Sequence, residues 1–230
     1  MPVHRLLRKK QTTEGALTQR IYEGLCHEIT TGQLKPGELL SRRRIAQRYG
    51  ASYTPVIEAM VRLENAGLVE AEAAQMARVR RLSLDTIQGN YVLREAYETQ
   101  AIRLACVRAT AVEIDELYRR AEEVDARRRA RDESGRDDPP GLVLHWQFHR
   151  RIAEISRVPA LVRELERIQL LRRLQANWHY TPEFIGLPRL HAVLVEVIAQ
   201  RDPEAADKVM RAHVRQGLEK ELQNYGMKMG

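Results

Sequence analysis

Four of the seven histidines stand where they could meet. His145 and His149 are four residues apart in the run HWQFH. The apolar periodicity around them predicts a helix, which puts both rings on one face. His191 lies near the start of a later predicted helix and His213 inside the last one. An i, i+4 pair joined by two imidazoles from neighbouring helices would make a nitrogen cage for a transition metal. The same spacing fits four separate core or half-exposed histidines, and spacing does not choose between them. Cys26 and Cys106 form neither a CxxC pair nor a disulfide framework, and are expected to be buried small hydrophobes.

A second chemistry is written in the charge. The chain has 230 residues and a formal net charge of +7. Residues 1–82 carry 14 Lys and Arg against 8 Asp and Glu, whereas residues 83–230 carry 24 against 23. A basic first third on a near-neutral remainder suggests a polyanion-binding head on a body with another task. A merely solvated basic surface fits the charge equally well.

The elements that would position these groups can be read from the pattern. Leu17, Ile21, Leu25 and Ile29 predict a helix over 17–31, closed by Gly32 and the turn Leu34-Lys35-Pro36-Gly37. A short helix starts at Ser41 as N-cap and stops at Gly50, and another runs from Ser52 to about Ala66. This is the outline of a helix-turn-helix, whose second helix enters the DNA major groove by its N-terminal residues. Ser52, Tyr53 and Thr54 would be those residues, with Arg42, Arg43 and Arg44 on the preceding helix as phosphate contacts. Leu68–Glu70 and Ala77–Arg80 read as a hairpin, the wing, which adds Arg78 to the candidate DNA contacts.

Beyond Ser83 the chain reads as all helix: 84–108, a helix capped by Thr110 to about Arg131, a polar loop over 132–141, then 142–156, 159–176, 183–200 and 203–224. The expected fold class is therefore mainly α: a winged helix-turn-helix over 1–82, then an antiparallel all-α bundle over 83–230. No run of about 18 apolar residues exists, and the basic start lacks the features of a signal peptide. A cytoplasmic protein is expected. Asn177-Trp178-His179-Tyr180 could line a pocket mouth or cap a helix end.

The segment LKPGELLSRRRIAQRYGASYTPVIEAMVRLENAGLVE closely resembles the N-terminal domain of GntR-family regulators, through Leu34, Pro36, Gly37, Ala46, Gly50, Ser52, Thr54, Pro55, Val56, Glu58, Ala59, Leu63, Glu64, Gly67, Leu68 and Val69. Three body segments, YVLREAYETQAIRLACVRA, HWQFHRRIAEISRVPAL and HAVLVEVIAQRDPEAADKVMRAHV, resemble the FCD effector domain of the FadR subfamily. The resemblance spans about residues 14–220. It implies a ligand-responsive repressor, a homodimer on a double-stranded DNA operator, with a small organic acid as effector.

The resemblance also implies a metal. In metal-binding FCD members an aspartate and three histidines hold the ion. The histidines map onto His149, His191 and His213, and His145 occupies the aspartate position. An all-imidazole set favours Zn²⁺, Ni²⁺ or Cu²⁺ over Mn²⁺ or Mg²⁺ and weakens as pH falls through the histidine range. Arg94 falls where relatives carry an arginine facing the effector; it could clamp a carboxylate or form a surface ion pair with Glu98. Two departures touch the head. Tyr53 and Ile57 stand where the family often has DNA-contacting arginines, and Met76 or Ala77 replaces the wing glycine. An unusual operator or a weaker affinity is expected, with a flatter salt dependence. A metal-dependent hydrolase with an appended basic domain is the alternative, and a helical adaptor with a decayed site a third reading. No carboxylate base stands at fixed spacing from the histidines, as zinc peptidases require.

Overall fold

The computed structural model describes residues 3–73, 75–134, 139–179 and 190–229. The chain divides into two compact units, one formed by 1–82 with 170–178, the other by 83–169 with 179–230.

The first unit contains α1 (Val3–Thr30), β1 (Leu39–Ser41), α2 (Arg42–Tyr49), α3 (Tyr53–Asn65), β2 (Val69–Ala73) and β3 (Met76–Val79). Ile21, Leu25 and Ile29 of α1 are fully buried, as are Val56, Ala59 and Leu63 of α3. Their i, i+3, i+4 spacing makes the two facing stripes of this small core. Ser41 caps α2 through its hydroxyl, which accepts from Arg44 N at 3.4 Å. Gly50 ends that helix in the left-handed region at φ 58°. A Cβ there would clash with nothing, so the demand for glycine is conformational, not spatial. The strands form an antiparallel sheet in the order β1-β3-β2, with Leu40 opposite Ala77 and Glu70 opposite Arg78.

Three elements differ from the sequence expectation here. Strand β1 was not foreseen, because three residues wedged between a turn and a helix cap carry no readable period. Helix α1 begins at Val3, well before the first residue of the apolar stripe at Leu17. Cys26 is half-buried, not buried.

The second unit is helical throughout its described residues: α4 (Leu84–Arg108), α5 (Ala111–Ser134), α6 (Pro139–Ile155), α7 (Pro159–His179), α8 (Leu190–Ala199) and α9 (Pro203–Met229). Helix α7 is shared by the two units, since 170–178 group with the first. Helix α4 packs on α9, α6 and α8, and α5 packs on α6 and α8. Local signals set the starts. Ser83 accepts from Thr86 N at 3.2 Å. Thr110 and Glu113 form a reciprocal capping box, with bonds of 3.3 and 3.0 Å. Asp202 accepts from Glu204 N and Ala205 N, each at 3.0 Å. The loop expected over 132–141 is narrower, because α5 runs to Ser134 and α6 already starts at Pro139, a residue suited to a first turn. Helix α8 is described only from Leu190. The earlier part of its expected range, Pro182 included, and the side chains of Asn177 to Tyr180 lie outside the described residues.

Two glycines separate conformational need from helix propensity. Gly50→Ala should destabilise the first unit by about 1–2 kcal/mol, the cost of a left-handed alanine. Gly89→Ala, in the second turn of α4 with open space around it, should stabilise the second by about 0.5–1 kcal/mol. Thermal melts of the two variants should therefore shift in opposite directions.

Candidate metal centre and nucleic-acid face

The four histidines come together. His145 and His149 project from α6, His191 from the start of α8 and His213 from α9. Their potential ligand atoms all lie within 4.8 Å of one another. His149 Nε2 is 3.1 Å from His145 Nε2 and 3.1 Å from His213 Nε2. His149, His191 and His213 are buried, and His145 is half-exposed. The i, i+4 step on α6 puts the first two rings on one face. Phe148 is fully buried and stands edge-on to His191, with ring centroids 5.3 Å apart, so one wall of the cluster is dry.

Two buried carboxylates fix the rings from behind. Asp125 on α5 meets His191 Nδ1 at 2.7 Å through Oδ1. It also accepts from the backbone N–H groups of His191, at 3.1 Å, and Ala192, at 3.2 Å. With Nδ1 held by Asp125, His191 Nε2 turns inward, buried and without a hydrogen-bond partner among the described residues. Glu98 Oε2 on α4 lies 2.9 Å from His149 Nδ1. Its other oxygen accepts from Arg94 Nε at 2.8 Å. The Arg94–Glu98 pair expected at the surface is real but buried, and the Arg94 guanidinium lies over the Tyr91 ring at 4.8 Å. The sequence reading missed both ring-holding roles.

Burial and charge set the protonation states. Desolvation, with the neighbouring His149 and His191, holds His213 well below the usual histidine range. His191 is lowered chiefly by burial, against the pull of Asp125. Burial alone would raise Glu98, but Arg94 and then His149 hold it far below the carboxylate range. Asp125 is likewise low: its bonds to His191 outweigh its burial. Neutral imidazoles at His191 and His213, with ionised Asp125 behind His191, are the state that ligation requires. A divalent ion about 2.0–2.1 Å from each nitrogen separates its ligands by about 2.9 Å in octahedral and about 3.4 Å in tetrahedral geometry. The two 3.1 Å edges at His149 fall between, so His145, His149 and His213 are spaced as metal ligands, with His191 within 4.8 Å of them.

In the first unit, Ser52, Tyr53 and Thr54 are exposed at the start of α3, and Arg43 and Arg44 are exposed on α2. Ser52 caps α3 in position but makes no side-chain bond to it. Arg42 is half-buried. Arg78, half-exposed on the hairpin, donates to Glu72 at 2.6 and 2.9 Å and to the Gly37 carbonyl at 2.9 Å, and so braces the wing. Cys106 lies beside the Val197 and Asp202 carbonyls, each 3.7 Å from its sulfur. Burial pushes its thiol up to about 11, the inert behaviour of a structural cysteine.

Comparison with known proteins agrees with both halves. The family described as bacterial regulatory proteins, gntR family, matches residues 17–79, and the FCD domain matches residues 90–216. The chain belongs to the GntR family, in its FCD-bearing branch. This GntR regulator is 27% identical over 238 residues to the HTH-type transcriptional repressor NanR of Citrobacter rodentium, covering 92% of this chain and 88% of that protein. It is 26% identical over 202 residues to the HTH-type regulator YdhC of Bacillus subtilis, covering 87% and 88%. The solved structure of Escherichia coli McbR/YncC superposes with a TM-score of 0.67 at 22% identity, covering 91% of this chain and 98% of that one, and so shares its fold. The hydrolase alternative falls here, since family and relatives are transcription regulators. No described helix is long and apolar enough to cross a membrane.

The imidazole states predict a pH dependence for the metal-free protein. His191 and His213 titrate below about 6.5 when folded and near 6.5 when unfolded. The unfolded chain therefore binds more protons beneath that value, and stability falls as pH drops. The contribution is complete above about pH 6.5. Glu98 and Asp125 add a second loss only below about pH 4.5. Chelator-treated protein melted between pH 8 and 5 should lose stability over the lower half of that range, and His213→Gln should flatten the fall.

Proposed function

We propose that this regulator is a homodimeric repressor whose hold on a double-stranded operator is changed by a small organic acid bound at a metal-containing FCD domain. The observation that carries the reading is the convergence of His145, His149, His191 and His213 at the centre of the body, with the nitrogens of two rings held from behind by Asp125 and Glu98. A metal held there would supply coordination positions for a carboxylate. An all-imidazole set favours Zn²⁺, Ni²⁺ or Cu²⁺ over Mn²⁺ or Mg²⁺. Because His191 and His213 are held below the usual histidine range, ligation persists to lower pH than ordinary imidazoles would allow.

The chain's own residues have separable tasks. Asp125 keeps the His191 Nε2 lone pair inward. Glu98 does the same for His149 while neutralising buried Arg94, which stays near enough to attract an anionic effector. In the head, Arg43 and Arg44 neutralise phosphates, and Ser52, Tyr53 and Thr54 meet the groove. Effector binding shifts operator affinity by a coupling free energy of about 1–3 kcal/mol.

The test joins elemental analysis of protein purified without chelator to gel-shift assays on the DNA flanking its own gene. One transition metal per chain is expected, and Asp125→Asn should weaken metal affinity by about 10–100-fold. Arg43→Ala should lower the salt slope of DNA binding by about 1 without changing sequence preference. Protein that takes up neither Zn²⁺ nor Ni²⁺ would reject the metal. Flanking DNA that does not shift at low salt would reject the operator.

A further inference from the structure

The outward face of α3 is apolar. Tyr53, Ile57 and Val61 are 46%, 42% and 45% exposed and fall at i, i+4 and i+8. They therefore form one stripe about 12 Å long, the rise of three to four base pairs. Of the polar residues beside the stripe, Glu58 and Arg62 are engaged with α1, whereas Thr54 and Glu64 are exposed along it. Glu58 accepts from the Thr18 hydroxyl at 2.9 Å. Arg62 donates to Gln19 Oε1 at 2.8 Å, with its guanidinium 4.1 Å from the centre of the Tyr22 ring. Positive charge next to the stripe comes from α2, where Arg43 and Arg44 are exposed.

We propose that α3 reads its operator through thymine methyl groups, so that the half-site core is rich in T·A pairs and guanine is excluded beneath Ile57. The proposal rests on the head being a DNA reader, and adds what it reads. In the major groove guanine presents two acceptors, N7 and O6, which cationic or amide donors satisfy; thymine presents a methyl group beside O4. Ile57 has neither donor nor acceptor. Against guanine it strips water from both acceptors and returns nothing. Against thymine it buries a methyl group. Tyr53 adds a ring for a second methyl and a hydroxyl for O4 or a phosphate. Thr54, exposed beside it, offers one methyl and one hydroxyl. Affinity and specificity are thereby divided: Arg43 and Arg44 hold the backbone, and the stripe discriminates. Three side chains on one helix are far short of the roughly 1,000 Å² that a stable protein interface buries, whereas they match a groove flanked by phosphates in size and charge.

The full-length chain is tested by selection from a random-sequence duplex pool. The best duplex is then remade with deoxyuridine in place of each core thymidine, which removes the methyl and nothing else. Selected half-sites should centre on T·A pairs. Each contacted methyl should weaken binding about fourfold when removed, the worth of one buried methyl group. Ile57→Ala should erase the thymine–uracil difference at one position, and Ile57→Arg, reselected, should gain guanine there. A guanine-centred half-site, or equal binding of uracil and thymine duplexes, overturns the proposal and leaves the head a DNA reader. A second copy covering the stripe would also overturn it: Ile57→Arg would then change the sedimentation of DNA-free protein and leave the selected sequence unchanged. Enrichment of no sequence at all rejects the reader itself, and the proposal with it.

Discussion

An imidazole offers one lone pair, and which nitrogen carries it depends on what the other nitrogen touches. In the body of this regulator that choice is made by two carboxylates from different helices. Asp125 on α5 holds His191 Nδ1 and two backbone N–H groups, and Glu98 on α4 faces His149 Nδ1. Without them the rings would keep their burial and lose their direction. The packing of α4 on α9, α6 and α8, and of α5 on α6 and α8, is what brings the carboxylates and the rings to one place. The same contacts account for charge in the core. Glu98 is buried and would be costly alone, but Arg94 on the next turn compensates it. Buried Arg94, costly for the same reason, is compensated in return.

The arrangement explains why the centre stays ready at neutral pH. Two neutral imidazoles and two ionised carboxylates are each the favoured state of their own surroundings. Desolvation disfavours charge on His191 and His213. Specific bonds keep charge on Asp125 and Glu98 despite the same desolvation. Groups whose surroundings push them apart in this way mark a site with a task, and here they do so inside a scaffold whose other buried side chains are overwhelmingly apolar.

Much of this was legible in the residues. The i, i+4 pair at 145 and 149 gave one face, and the winged helix-turn-helix followed from caps, stops and apolar stripes. The likeness to the FCD domain supplied the step that spacing could not: that His191 and His213 reach the same point. Asp125 was illegible because it acts across 66 residues on a helix with no motif around it. Glu98 was visible as a partner of Arg94, yet a one-dimensional pattern does not show that a pair is buried or that its second oxygen has another partner. Strand β1 is too short for a period. The acceptors of Arg78, Glu72 and the Gly37 carbonyl, were illegible because they become its neighbours only when the hairpin closes.

Two features of this chain bear on charge. The central cluster is built of four imidazoles, with no carboxylate among its potential ligands. At 53 and 57 an aromatic and an aliphatic residue stand exposed on α3, so that face carries no cation there. A cationic centre selects for an anionic ligand through a term that burial strengthens. An uncharged reading surface gives up the long-range, salt-sensitive attraction of arginine and keeps short-range contacts that depend on shape and desolvation. Backbone attraction then has to come from elsewhere in the head. The exposed Arg43 and Arg44 of α2, which sit one helix before the apolar stripe, are cations of the same helix-turn-helix that can supply it.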